Sequence, residues 1–153
     1  MNTVTKILNI VDIFFPPSVA YAHCDVPCGI YDPKTAQIAA ATVLVMTQKL
    51  VELKLPADGA VDMEFTKHHN NLVRMIETKE VHAQKCKEEL LILWTDFFKK
   101  DHLSEFPNLH ETFWNAAKLC SKCKQNVDLD AAKALVSSVE SIASIFAKIK
   151  AAK

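Results

Sequence analysis

Apolar residues recur at steps of three and four along most of the chain, the period of a helix that buries one face. The first run follows Asp32 and Pro33, which are suited to a helix cap and to the first helical position. The turn-forming residues 55–59 end this run. The sequence therefore predicts a first helix whose apolar positions are Ala36, Ala39, Val43, Met46, Leu50 and Leu53.

Three further helices are predicted in the same way. The second runs from Glu64 or Lys67 to Phe98, and only Lys79 interrupts its apolar stripe. Pro107 opens the third helix, and Asp128 is the expected cap of the fourth. The apolar positions are Leu72, Ile76, Ala83, Cys86, Leu90, Leu93 and Phe97 in the second helix, Leu109, Phe113, Ala116, Cys120 and Cys123 in the third, and Leu129, Ala132, Val136, Val139, Ile142, Ile145 or Phe146, and Ile149 in the fourth.

Four amphipathic helices joined by short loops pack as an antiparallel, up-down four-helix bundle, so the predicted fold class is all-α, with the bundle in residues 32–153. Composition agrees with this fold. The 153 residues suit one domain, half of them are hydrophobic, and two glycines in the whole chain favour helix over sheet.

Charge and cysteine content limit the classes of function that the sequence supports. Eighteen basic and eighteen acidic residues balance, so nothing indicates binding to nucleic acid or to an anionic membrane. The five cysteines are an odd number and do not form a complete disulfide framework. Reduced thiols in the cytoplasm are the simpler interpretation.

Residues 1–22 differ from the rest of the chain. Lys6 is their only positive charge, and Asn9 and Asp12 interrupt an apolar run that is too short to span a bilayer. The segment ends in the A-x-A pattern of Ala20 and Ala22, after which peptidases cut. We interpret residues 1–22 as a pro-segment that a maturation protease removes. Secretion or export to the periplasm is the alternative.

A cut after Ala22 would make His23 the N-terminus of the hook, residues 23–31, in which Pro27 and Gly29 indicate a turn. The free amine of His23 and the backbone nitrogen of Cys24 would close a five-membered chelate ring on a metal. The Cys24 nitrogen and thiolate close a second ring, and Cys28 supplies a second thiolate. Two nitrogens and two thiolates in a plane point to nickel(II) or copper(II), and thiolates tend to reduce copper(II).

The motif H-C-D-V-P-C-G-I-Y-D-P resembles the nickel-binding hook of nickel-containing superoxide dismutases. The resemblance continues through residues 93–99 and 106–110, and the length and helix pattern fit from His23 to Lys153. It implies one nickel ion per chain bound by His23, Cys24 and Cys28, cycling between the II and III states, with the His23 ring as axial ligand. It also implies superoxide as the substrate and a homohexamer of bundles.

Further roles follow from the same resemblance. Tyr31 and Asp25 would frame access to the metal, while Pro27 and Ile30 shape the hook around it. Matching lysines in the family are thought to attract the anionic substrate, which assigns that role to the two cations Lys99 and Lys124.

Three positions depart from the family pattern. The best-known members carry a glutamate where this chain has Ala39 and an arginine where it has His82, and that pair holds the axial imidazole. We expect His82 to substitute in part. Phe97 stands where the family can carry tyrosine, so a hydroxyl would be missing beside Tyr31.

The remaining cysteines leave an alternative open. Cys120 and Cys123 could complete a four-cysteine zinc site with Cys24 and Cys28, but their positions on an apolar stripe favour buried thiols, as does that of Cys86. The rival function is a non-enzymatic nickel- or zinc-binding helical bundle that keeps its N-terminal segment.

Overall fold

The computed structural model describes residues 29–54 and 63–151, and in these ranges the chain is helical, without a strand. The helices are α1 (Lys34–Glu52), α2 (Met63–Ile92), α3 (Leu109–Gln125) and α4 (Leu129–Ala151). A π-helical turn, Leu93–Phe97, extends α2, and a 3-10 helix, Lys100–Ser104, leads toward α3. The predicted all-α, four-helix architecture is confirmed.

The four helices form a closed antiparallel ring. Each packs against its neighbour in sequence, and α4 returns to pack against α1. One end of the bundle therefore holds the starts of α1 and α3 and the ends of α2 and α4. We call this the hook end, because residues 23–31 precede α1 there. The hook's first six residues, 23–28, lie outside the described residues.

The core is built from the apolar stripes that the sequence predicts, and many of its members are small. Ala36, Ala39 and Ala40 of α1 are at most 1% exposed, as are Ala83 of α2 and Ala116 of α3. Small side chains let helix backbones approach closely. Larger apolar residues fill the remaining space, and the fully buried ones include Val43, Leu90, Leu109, Phe113, Leu135, Val139 and Ile142.

Both aspartates predicted as helix caps act at helix starts. Asp32 Oδ1 accepts the Lys34 N–H at 2.8 Å, but the cap position of α1 is occupied by Pro33 and not by Asp32 as predicted. Asp128 Oδ1 accepts the Ala131 N–H at 2.9 Å and caps α4. Each bond satisfies an amide that the helix itself leaves unpaired. Pro33 is buried beneath the first turn of α1.

The end of α2 differs from the predicted continuous helix to Phe98. The N–H of Phe98 donates to the Leu93 carbonyl at 3.1 Å, five residues back instead of four. This wide turn accommodates one extra residue. It leaves Phe97 and Phe98 both buried at the hook end, where a regular helix would turn one of them outward.

Lys79, which interrupts the apolar stripe of α2 in the sequence, lies in the core. It is 2% exposed, and its ammonium group donates to the backbone carbonyls of Cys123, Lys124 (3.0 Å) and Asn126 (3.2 Å). The end of a helix leaves its last carbonyls without partners. Lys79 satisfies those of α3, so its place in the stripe is structural.

Candidate metal centre

The hook joins the bundle through Tyr31. Its ring is half-buried and packs against Phe97 with ring centroids 5.8 Å apart, and its carbonyl accepts a hydrogen bond from Lys150 Nζ at 3.1 Å. The predicted proximity of Tyr31 to Phe97 is confirmed. One contact comes from the end of α2 and the other from the end of α4, so two helices fix the point at which the hook leaves the bundle.

An aromatic cluster supports Tyr31 from below. The Phe97 ring packs against Phe146, with ring centroids 4.4 Å apart, and edge-on against Phe98 at 5.0 Å. The Phe98 ring in turn packs against Phe113, with centroids 5.2 Å apart. Such tilted and edge-on pairs add to the energy of burial. Tyr31, the last residue of the hook, therefore packs on an apolar base.

Gly29 sets the direction of the chain just before Tyr31. Its φ angle is +71°, in the left-handed region that a side chain disfavours, and nothing lies within 4 Å of where a Cβ would be. Glycine is needed here for its backbone freedom and not for space. Ile30 follows with 77% of its surface exposed.

A small cavity of about 170 Å³ opens at the base of the hook, between α1 and α2. Ile30, Tyr31 and Thr35 line one side, and Glu89 of α2 lies on the other. Sequence reasoning missed Glu89 because its position off the apolar stripe looks like that of any solvated helix residue. It also missed Lys150, whose partner is 119 residues away.

His82 lies further down α2. Seven residues separate it from Glu89, about 10 Å along the helix axis. Its ring is half-buried, and Nδ1 lies 2.8 Å from the Thr78 carbonyl. A carbonyl only accepts, so Nδ1 carries the proton, and in the neutral ring Nε2 is left as an acceptor. Ala39 is buried in the core.

The two lysines predicted to attract the substrate lie at opposite ends of the bundle. Lys99 is exposed beside the hook end, where its backbone N–H donates to His102 Nδ1 at 3.1 Å. Lys124 lies at the far end of α3, about 22 Å along the axis from Leu109, and its Nζ donates to Gln84 Oε1 at 3.3 Å. Within one chain the structure does not bring Lys124 together with Tyr31.

The cysteines outside the hook are all buried, as predicted. A hydrogen bond between the Cys86 and Cys120 thiols raises the pKa of Cys86, helped by burial, and lowers the pKa of Cys120. Burial raises the pKa of Cys123 to about 11. Within residues 29–54 and 63–151, no three histidine, cysteine or acidic side chains come together to hold a metal ion.

The metal donors predicted from the sequence, His23, Cys24 and Cys28, lie outside the described residues, as do Asp25 and Pro27. An N-terminal amine, one backbone nitrogen and two thiolates supply the planar nitrogen and sulfur donors that nickel(II) accepts.

A profile of the family "Nickel-containing superoxide dismutase" matches residues 18–150. The chain belongs to this family. The match includes the hook and nearly all of the bundle. The family prediction made from the hook motif is confirmed, and so are nickel as the cofactor and superoxide dismutation as the activity, which displaces the non-enzymatic metal-binding alternative.

Similar proteins agree with this assignment. The chain is 33% identical over 140 residues to a nickel superoxide dismutase of Streptomyces seoulensis, a match that covers 92% of this chain and 97% of that protein. A second relative, from Streptomyces coelicolor, is 31% identical over the same coverage. The native nickel superoxide dismutase structure is similar with a TM-score of 0.67 at 30% identity, covering 84% of this chain and 99% of that one.

No helix in the described ranges is both long and apolar enough to cross a membrane.

Proposed function

We propose that His23, Cys24 and Cys28 bind nickel after residues 1–22 are removed, and that this site converts superoxide to dioxygen and hydrogen peroxide. The reaction is 2 O2•− + 2 H+ → O2 + H2O2. One observation carries the proposal. The hook's donor set leads directly into Tyr31, whose carbonyl and ring are held by Lys150 and Phe97.

When bound, nickel supplies one-electron redox chemistry between its II and III states. The chain's own residues make that chemistry usable. Anionic thiolates from Cys24 and Cys28, with the amide nitrogen of Cys24, stabilise the higher oxidation state and lower its potential. The free amine of His23 exists only after cleavage, so the pro-segment keeps the site incomplete until it is removed.

The residues around the hook control access. Tyr31 and Asp25 limit the opening to small anions and order water, while Pro27 and Ile30 shape the turn. Lys99 at the same end attracts a small anion by its charge. In a homohexamer, which we infer from the family resemblance, Lys124 would act on a neighbouring chain's site. His82 would support the His23 ring in place of the glutamate and arginine that the family resemblance implies.

Maturation is tested by the mass of the purified protein. We expect loss of residues 1–22, nickel close to one per chain, a native mass of six chains and recovery from the cytoplasmic fraction. An Ala22→Pro variant that resists cleavage should bind little nickel and show no dismutase activity. Full activity in a chain that keeps residues 1–22 would refute the role of the His23 amine.

The ligand assignment is tested by serine substitutions. Cys24→Ser and Cys28→Ser should each abolish nickel binding and activity, because a hydroxyl is a weak ligand for nickel. Cys123→Ser is the matched control. It should keep its nickel and lose stability only, because it places a hydroxyl in the core. If Cys120→Ser removed metal as completely as Cys24→Ser, the four-cysteine site would be correct instead.

A further inference from the structure

Three thiols outside the hook lie where α2 faces α3. Cys86 belongs to α2, and Cys120 and Cys123 belong to α3, each at most 1% exposed. Their neighbours Ala83 and Ala116 are also buried and small. A disulfide requires Cα atoms within about 7 Å, and small residues on both helices permit that close approach.

Cys86 and Cys120 form an unequal pair. Their thiols hydrogen-bond, which raises the pKa of Cys86 and lowers the pKa of Cys120. The ammonium group of Lys87 also lowers the pKa of Cys120. The thiolate is the reactive form of cysteine. Lys87, which stabilises that form at Cys120, lines the same cavity as Cys120, whereas Cys86 does not line it, so Cys120 is the better placed nucleophile of the pair.

A cavity of about 500 Å³ reaches Cys120 between α2 and α3. Lys87 and Ser121 line it together, and Lys87 Nζ donates to Ser121 Oγ at 3.2 Å. The space is ample for a molecule of two oxygen atoms, and both side chains can hydrogen-bond to a polar guest. Cys123 and Cys86 do not line this cavity, so Cys120 is the thiol that a small oxidant meets first.

We propose that Cys120 is a peroxide-reactive thiol that forms a disulfide with Cys86. The Cys120 thiolate attacks one oxygen of hydrogen peroxide, the O–O bond breaks, and the departing hydroxide takes a proton to become water, leaving a sulfenic acid. The Cys86 sulfur then attacks the sulfenic sulfur, and a second water leaves. Two thiols are oxidised, and one peroxide is reduced to two waters.

The source of the oxidant rests on the proposed function, because superoxide dismutation releases hydrogen peroxide from this same chain. The thiol chemistry itself does not depend on nickel. The test of the thiol chemistry therefore uses added hydrogen peroxide. Its result can be interpreted even if the nickel assignment is wrong.

The experiment treats the reduced full-length protein with a small excess of hydrogen peroxide, then blocks free thiols and digests after glutamate. This digestion separates Cys86 in residues 81–88 from Cys120 and Cys123 in residues 112–140, while both hook cysteines precede Glu52. We expect mass spectrometry to find residues 81–88 cross-linked to residues 112–140 through Cys120.

Variants identify the individual roles. Cys123→Ser should form the cross-link as fast as the unmodified chain. Cys86→Ser should stop at the sulfenic acid, which dimedone traps at Cys120. Lys87→Met should slow the reaction about tenfold, as expected when a nearby charge shifts a thiol pKa by about one unit. Lys85→Met, an exposed lysine on the same helix, is its control and should react at the normal rate.

Three results would overturn the proposal. One is a disulfide between Cys120 and Cys123 with Cys86 left reduced. Another is dimedone labelling of Cys86 in preference to Cys120. The third is a cross-link that appears only in urea, which would show that the cavity gives peroxide no route to Cys120 in the folded chain.

Discussion

The ammonium group of Lys79 donates a hydrogen bond to the backbone carbonyl of Cys123, 44 residues away on another helix. Two further carbonyls accept from the same group, those of Lys124 and Asn126. Desolvation lowers the pKa of Lys79, while the charge of Glu80 opposes that shift. Three acceptors match the three hydrogens of an ammonium group, and the end of a helix attracts positive charge.

Replacing Lys79 tests this role. Lys79→Met fills similar space but leaves three carbonyls at the end of α3 without their donor. We expect the free energy of unfolding to fall by about 2–4 kcal/mol, the range for buried polar groups that lose a charged partner. Urea unfolding measures this change. Lys85→Met, on the exposed side of the same helix, should change stability by less than about 0.5 kcal/mol.

Lys150 anchors the hook through the Tyr31 carbonyl. Lys150→Met should lower stability only slightly, by about 1 kcal/mol, because one hydrogen bond at the surface is lost. The larger expected effect is on the site, since the base of the hook then loses its hydrogen bond to α4. Nickel should dissociate faster, which transfer to a chelator measures. Lys148→Met, exposed two residues earlier on α4, should release nickel at the normal rate.

His82 is expected to support the axial imidazole. The Thr78 carbonyl fixes its Nδ1 proton and leaves Nε2 as an acceptor, directly or through a water. His82→Ala should lower turnover and weaken the axial-nitrogen signature in the nickel(III) electron spin resonance spectrum, with nickel content near normal. An unchanged spectrum with unchanged turnover would assign the support to another group, and Glu89, an acidic residue that lines the cavity at the base of the hook, is a candidate.

Asp128 gives the bundle a defined acid sensitivity. Its ion pair with Lys122, at 2.7 Å, and then the Ala131 N–H hold the pKa of Asp128 below 3.8. Because the pKa is lowered in the folded state, the carboxylate stabilises the fold at pH values above the ordinary pKa of 3.8. This stabilisation is lost as pH falls through the lowered, folded-state pKa.

Asp128→Asn keeps a good helix cap but removes the charge. We expect a lower melting temperature than that of the unmodified chain at neutral pH, and the gap should close as pH falls below 3.8. Asp101→Asn, which removes an exposed aspartate at the other end of the bundle, is the control for the loss of one surface carboxylate. A gap that stays constant with pH would show that the charge of Asp128 contributes nothing.

The features that the sequence predicts are those encoded locally. The sequence predicts the four apolar stripes, the aspartates at two helix starts (Asp32 and Asp128) and the chelating order of His23, Cys24 and Cys28. All of these depend on residues a few positions apart. What it could not predict depends on partners distant in sequence. Lys79 interrupts the apolar stripe of α2 in the sequence, because its backbone acceptors lie at the end of α3. Lys150 and Glu89 have the pattern of solvated residues, and only the packed helices show their contacts with the hook.

The π-helical turn at Leu93–Phe97 sets the direction in which the end of α2 presents its aromatic side chains. Because this turn holds one residue more than a regular helical turn, regular winding of the same residues would rotate the side chains beyond the extra residue by about 100° around the helix axis. Phe97 would then swing away from Tyr31 and Phe146. Removing one residue from the turn would restore a regular helix without that rotation, so the end of α2 can lose one residue and still present its aromatic side chains to the hook.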